Sequence, residues 1–366
     1  MTDTLSAQPT TAATTSTAAS TASKILSFGI PCYNSAAYMD HCISSILEGT
    51  NYAPDIQIIV VDDGSTKDAT AQKADEWAAC YPNIIKAIHQ ENGGHGAAVL
   101  AGLAAADGVF YKVVDSDDWL DAPSLAKLVD TIRASEAAHE NVDLFISNYV
   151  YEHVPDNTQN YVSYRNILPT GRVFGWDEVG HFHMWQNLIM HSLCYRADIL
   201  RAGGGTPLPS HTFYVDNIYA FVPLPRCKRL YYLDVDLYRY FIGREDQSVN
   251  ETVMAGRIEQ QRRITRILMY SYKLYEDIPS IKLRSYMVNY FVIMMAICSI
   301  FSKLSKQPDA MEQLDILWNE LREYDPRLWR RCRFGIVGSS TNLPTKAGKH
   351  ITLAAYRLVG KFVKFN

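Results

Sequence analysis

The sequence has no Cys-x-x-Cys pair, no Lys-containing phosphate loop and no dinucleotide-type glycine fingerprint. It also lacks a basic N-terminal region leading into an apolar stretch. Each absence removes a class of protein. The seven cysteines, Cys32, Cys42, Cys80, Cys194, Cys227, Cys298 and Cys332, are scattered without metal-ligand spacing. That argues against a structural zinc site and fits a reducing cytosol. His181, His183, His191 and His211 do not complete a zinc ligand set either. Without the order of a secretory leader, residues 4–23, rich in Thr, Ala, Ser, Gln and Pro, read as a disordered tail. The longest apolar stretch, residues 286–301, is interrupted by Asn289 and falls short of the roughly 18–20 residues that span a bilayer. It reads as a buried helix. No nucleic-acid partner is expected.

Strong net charge is missing too: the formal value is −4 over 366 residues. It hides an asymmetry. Residues 1–250 carry 16 Lys+Arg against 29 Asp+Glu, a balance of −13, and residues 251–366 carry 19 against 10, a balance of +9. Such a division fits a basic back that faces an anionic surface, or a charge match within the molecule.

What is present is an alternation. Short apolar runs at 25–30, 56–61, 84–88 and 109–114 read as buried strands. Helical spacing follows at 36–47, 66–79, 96–106 and 125–137, and a further strand at 142–147. This order predicts an α/β fold with a parallel sheet, whose ligands bind beyond the carboxyl ends of the strands. Three polar clusters fall there: Pro31-Cys32-Tyr33-Asn34, Asp62-Asp63-Gly64-Ser65 and Asp115-Ser116-Asp117-Asp118. After residue 150 the alternation fades. Residues 230–241 read as Tyr-rich strands, and residues 251–366 as helical.

Three carboxylates at one strand end repel one another unless something positive binds them. Hard oxygen ligands suit Mg2+ or Mn2+ held against a diphosphate, so the 115–118 cluster suggests metal-assisted transfer from a phosphate-bearing substrate. A solvated, capped turn is the plain alternative. Asp62 or Asp63 can accept hydrogen bonds from a base or ribose, or cap the turn. Asn92-Gly93-Gly94-His95-Gly96 opens a helix and brings backbone N–H groups within reach of an anion, or forms a simple tight turn. Asp216 is a lone carboxylate among Phe213, Tyr214 and Val215, a setting that suits a general base; capping or pairing with an arginine is the alternative. Arg244 lies in a polar loop that can close over an anionic ligand. Residues 346–366 form an amphipathic basic pattern, which fits either a helix on an anionic membrane or one packed on the protein.

Taken together, Pro31-Cys32-Tyr33-Asn34, Val60-Val61-Asp62-Asp63-Gly64-Ser65, Glu91 to Gly96 and Asp115-Ser116-Asp117-Asp118-Trp119 resemble the family 2 glycosyltransferases. The likeness spans roughly residues 24–125. It continues more loosely through Phe213 to Asn217 and Tyr238 to Ser248, where it resembles bacterial enzymes of surface-polysaccharide assembly. The resemblance implies a GT-A fold: a Rossmann-like, mostly parallel sheet flanked by helices, in residues 24–250, with a helical extension over 251–366. It implies that Pro31, Tyr33 and Asp63 hold the base and ribose, with Asn34, Asp62, Gly94, His95, Ser116 and Arg244 also on the donor. Asp115 and Asp117 become the DxD pair, with Asp117 the direct metal ligand and Asp118 sharing that work. Asp216 falls at the family's base, although Val215 stands where an acidic residue is usual.

The processive Gln-x-x-Arg-Trp signature is absent. The resemblance therefore implies an inverting, metal-dependent transfer of one sugar from a nucleotide sugar, a UDP-sugar, to a glycan or lipid-linked acceptor. The place implied is the cytoplasm, peripheral on the inner face of the membrane. A nucleotidyltransferase making nucleotide sugars and an inactive scaffold of an assembly complex are the other readings weighed.

Overall fold

A computed structural model describes residues 23–183, 186–243, 251–343 and Thr352. One sheet organises it. Its strands are β1 (Leu26–Cys32), β2 (Ile56–Asp62), β3 (Ile85–His89), β4 (Phe110–Val113), β5 (Trp119–Leu120), β6 (Leu144–His153), β7 (Thr158–Val162), β8 (Val173–Phe174), β9 (Leu193–Arg196) and β10 (Leu230–Ile242). The spatial order is β3-β2-β1-β4-β9-β6-β10-β5, with β7 on β6 and β8 on β10.

The first four strands are parallel: β1 lies between β2 and β4, and β2 pairs with β3. Every residue of β1, β2 and β4 is buried, as expected for strands covered by helices on both faces. Beyond β4 the sheet becomes mixed. β9 runs antiparallel to both β4 and β6, and β6 and β10 are parallel. The stretch 230–241, expected as strands in the plural, is one 13-residue strand with register shifts between Leu233 and Tyr238. Those irregularities bend β10 so that its far end pairs with β5, directly after the acidic turn.

Helices Met39–Gly49, Thr70–Cys80, His95–Ala104 and Ala122–Ala137 connect or flank the strands. The last is capped by Asp121, which accepts from the Ser124 N–H at 3.1 Å, with Pro123 in the first turn. Helix His95–Ala104 crosses β1 at close range because Gly29 and Gly102 leave room for the Tyr111 phenol. A Cβ on Gly102 would stand 2.6 Å from Tyr111 Oη.

From Glu251 to Asn342 the described chain is mostly helical. Helices Ile258–Ser271, Ile281–Leu304 and Ala310–Tyr324 pack on one another, and their apolar side chains join the core that begins in the sheet. Ile281–Leu304 is long and apolar enough to cross a membrane, the only such helix among the described residues. In the protein 72% of that apolar stretch is buried. Its buried Tyr286 hydroxyl accepts from the Leu188 N–H at 2.9 Å.

Gly102→Ala puts two effects in opposition. Alanine favours the helix by about 1 kcal/mol, and overpacking costs about 1–3 kcal/mol. Since Tyr111 is fully buried and its hydroxyl donates to Val99 O at 3.0 Å, the clash dominates. Urea denaturation of Gly102→Ala should show a net loss, and adding Tyr111→Phe should recover part of it.

Candidate active site

The carboxyl ends of β1, β2 and β4 lie side by side, and the turns that follow them form the floor of the site. The turn after β1 is held by Asn34, which adopts a left-handed backbone (φ 49°). Its Oδ1 accepts from the Thr66 and Lys67 N–H groups at 3.2 and 3.0 Å, and its own N–H donates to Ser65 Oγ at 2.9 Å. Asp62 accepts from the Ser65 N–H at 3.1 Å and faces His89 Nδ1 at 3.2 Å. Asp63 is buried. Its carboxylate accepts from Gln90 Nε2 (2.6 Å) and from the N–H groups of Gly93 (2.9 Å) and Gly94 (2.7 Å).

Three of the expected donor ligands have hydrogen-bond partners within the protein. The side chains of Asn34, Asp62 and Asp63 brace neighbouring loops. The Gly94 N–H, expected to face an anion, is spent on Asp63. Among the first cluster, Pro31 is buried in β1, and Tyr33 is the exposed side chain, at 51%. Gly94 itself (φ 84°) turns the chain into helix His95–Ala104, with the backbone of His211 packed close against it.

The turn after β4 is the most charged part. His95 Nε2 lies 2.9 Å from Asp115 Oδ1. Burial by itself raises a carboxyl, but the charge and hydrogen bond of His95 outweigh it and hold Asp115 below the usual range. Asp118 behaves in the opposite way. Burial, then the charges of Asp117 and Asp115, push it well above that range. Its two oxygens are fixed from β10: the Tyr238 hydroxyl donates to Oδ2 at 2.5 Å and the Phe241 N–H to Oδ1 at 2.8 Å. The same Tyr238 oxygen accepts from the Asp115 N–H at 3.1 Å. Ser116 is buried with its hydroxyl towards the Cys32 thiol.

Opposite this turn stands His191. Its ring lies 4.5 Å from that of Tyr238 and 4.9 Å from that of Tyr240. Burial lowers its pKa to about 4, so the imidazole is neutral and has a lone pair to give. The buried Nδ1 has no hydrogen-bond partner. Beneath it, the buried Lys112 ammonium donates to His191 O at 2.6 Å; burial brings that lysine down to about 8.

One ligand atom each from Asp115, Asp118 and His191 lies within 4.8 Å of the other two. Two carboxylates and a buried imidazole fit a divalent cation, which would also remove the repulsion that adds to the rise of Asp118. Asp117 is half-buried beside this group, close enough to act on both Asp118 and His95. The sequence favoured Asp117 over Asp118; among the described residues the geometric group takes Asp118 and adds His191.

Asp216 begins the helix Asp216–Phe221. Burial raises its pKa; His95 pulls the other way, and Asp115 adds to the rise. The segment before it is under tension, with Tyr214 left-handed at φ 66°. It is held from the C-terminal helices. Gln260 Oε1 accepts from the Phe213 N–H at 2.7 Å, Arg263 donates to Thr212 Oγ1 at 2.9 Å, and the Tyr290 hydroxyl donates to Asn217 Oδ1 at 2.8 Å. Asn217 Nδ2 in turn reaches Asp216 Oδ1 at 3.3 Å. Arg244 and the stretch 346–366 lie outside the described residues, apart from Thr352.

The sequence alone did not single out Tyr238, Asn217 or Tyr290, and it set His191 aside with the other histidines. No spacing signal marks Tyr238, Tyr290 or His191, since each meets its partners from a distant element. The Asp-Asn pair at 216–217 is the one local hint, an amide beside a lone carboxylate.

Residues 27–190 match the model described as glycosyl transferase family 2. The chain carries a family 2 glycosyltransferase domain. Glycosyltransferase GlyG of Streptococcus pneumoniae is 33% identical over 143 residues, 38% of this chain and 44% of that protein. The minor teichoic acid biosynthesis protein GgaA of Bacillus subtilis is 33% identical over 126 residues, 34% of this chain and 28% of its own length. The chain thus spans less than half the length of these curated relatives. The crystal structure of S. aureus TarS 1-349 in complex with UDP-GlcNAc superposes with a TM-score of 0.59 at 16% identity, covering 92% of each chain. That likeness is one of fold, and the fold is that of GT-A glycosyltransferases. Of the grouped site residues, the family 2 match contains Asp115 and Asp118 but ends one residue before His191 and well before Asp216.

Asp63→Ala removes the acceptor of the half-buried Gly93 and Gly94 N–H groups, which costs less than the roughly 1–3 kcal/mol of a fully buried unsatisfied group, since water reaches them in part. Thermal melts should show the loss, with faster amide exchange at 93 and 94; Asp63→Asn keeps one acceptor and should lie between. For the metal group, Mn2+ titration followed by electron paramagnetic resonance should weaken about tenfold or more in His191→Ala and in Asp118→Ala, as expected when one ligand of three is lost.

Proposed function

We propose that the protein is an inverting, metal-dependent glycosyltransferase. It moves one sugar from a nucleotide-sugar donor, a UDP-sugar, to a hydroxyl of a glycan or lipid-linked acceptor in cell-surface polysaccharide assembly. The observation that carries this reading is the meeting, at one sheet edge, of a divalent-metal ligand set and a carboxylate whose pKa is raised.

In this reading Asp216 takes the proton from the acceptor hydroxyl, whose oxygen then attacks the anomeric carbon on the face opposite the diphosphate. An α-linked donor gives a β-linked product. Asn217, set by Tyr290, keeps the Asp216 carboxylate turned to the acceptor. His95 keeps Asp115 ionised and oriented. Tyr33, exposed after β1, offers a ring for the base, with Pro31 and Asp63 shaping the ribose end and Arg244 meeting the phosphates. Asp115, Asp118 and His191, with Asp117 alongside, would hold Mn2+ or Mg2+, which would supply Lewis acidity to the departing diphosphate.

The relatives support the substrate class: S. aureus TarS 1-349 is seen in complex with UDP-GlcNAc, and GgaA is a minor teichoic acid biosynthesis protein. Residues 346–366 belong on the cytoplasmic face of an anionic membrane in this reading, where a lipid-linked acceptor is found.

Incubation with a panel of nucleotide sugars should give Mn2+-dependent donor turnover for one sugar, and a β-linked product by NMR. Turnover without added metal after chelation would contradict the assignment. Asp216→Asn should lower kcat by about 10²–10⁴-fold, the usual share of a general base, with donor affinity unchanged. Tyr290→Phe, which loses only the hydroxyl that sets Asn217, should lower kcat by a smaller factor and leave the donor KM in place.

A further inference from the structure

No Asp or Glu occurs from Pro326 to the end of the chain. Residues 251–325 carry ten basic and ten acidic side chains, so the whole +9 of the C-terminal part falls after residue 325. The described portion of that stretch shows how the charge is displayed. Helix Pro326–Phe334 turns Leu328 and Cys332 into the core and leaves Arg327, Arg330 and Arg331 exposed. Arg327 is held over the Tyr275 ring at 3.9 Å, and Arg331 reaches Asn289 Oδ1 at 3.4 Å, so these charges are fixed on the helix bundle. The nearest acid in the chain, Asp325, is buried and occupied as the helix cap, accepting from the Leu328 N–H at 2.8 Å.

At the end of this helix the chain turns at Gly335 into helix Ile336–Thr341. The residues on either side of the turn are apolar and in solvent: Phe334 is 67% exposed and Ile336 91%. A single exposed apolar side chain is ordinary; two that flank one turn, beside exposed arginines on an acid-free stretch, are not. An anionic polymer would satisfy the arginines and leave Phe334 and Ile336 in water. A lipid surface takes both, headgroups to the guanidinium groups and the acyl boundary to the apolar pair.

We infer that the Phe334–Ile336 turn, flanked by Arg327, Arg330 and Arg331, is a docking point for an anionic lipid surface. It acts on its own residues, apart from the amphipathic stretch 346–366, and its test reads vesicle binding with no donor or acceptor present. A failure here therefore leaves the transferase reading untouched, and the reverse also holds.

Full-length protein is sedimented with phosphatidylcholine vesicles and with vesicles containing phosphatidylglycerol. Binding should require the anionic lipid and weaken with salt. Phe334→Ser/Ile336→Ser should lower partitioning about tenfold, because interfacial binding scales with the apolar area inserted. Arg330→Gln/Arg331→Gln should flatten the salt dependence. Unchanged melting temperatures confirm that both variants are folded. The proposal is overturned if the wild-type chain binds both vesicles equally or neither, or if the Phe334→Ser/Ile336→Ser chain partitions like wild type. It is also overturned if a soluble polyanion binds the wild-type chain while anionic vesicles do not.

Discussion

One hydroxyl group connects the two halves of the sheet at the site. Tyr238 comes from β10, yet its oxygen joins the backbone of Asp115 and the carboxylate of Asp118, both after β4. His95 holds Asp115 and the Phe241 N–H holds Asp118, but among these contacts only the Tyr238 hydroxyl touches both residues. With it, Asp118 is held against the repulsion of its neighbours, and the ring behind the hydroxyl lies against His191. The bend in β10, caused by its register shifts, is what carries Tyr238 to that point.

Much of the parallel half was legible in the chain. Its strands are continuous apolar runs, and each ends in polar residues that solvent or ligand must meet, so periodicity and chemistry point the same way. The strand at 56–61 and the helix at 125–137 emerge within a few residues of their predicted ends. The mixed half was not legible, because β9 and β10 take their places from partners that sequence does not name. Within the site, the clusters were readable as places but less so as contacts. Asp62, Asp63 and Asn34 looked like ligand-binding groups and are engaged with their own loops. Short polar side chains at strand ends serve turns as readily as ligands, and composition does not separate the two. His191 was unreadable for another reason: a histidine becomes notable only when carboxylates reach it from elsewhere.

The C-terminal helices are more than a support. The apolar helix Ile281–Leu304, which by composition suits a lipid interior, is instead packed within the protein and supplies Tyr290 to the segment that bears Asp216. Gln260 and Arg263 reach the same segment from the preceding helix. The polar contacts that set the candidate base therefore come from residues beyond the family 2 match. The family 2 match holds the acidic turn; the candidate base Asp216 and the groups that contact its segment lie beyond it.

The contacts that build the site also share a long reach along the chain. Tyr238 meets Asp115 across 123 residues, Lys112 meets His191 across 79, and Tyr290 meets Asn217 across 73. Closing loops of that size costs entropy before any contact repays it, which slows folding and delays the pieces that depend on it. The site therefore exists only in molecules in which these distant elements have already met. A ligand that binds there selects the finished molecule over every partly folded one, so that occupancy and the survival of the whole chain are thermodynamically linked.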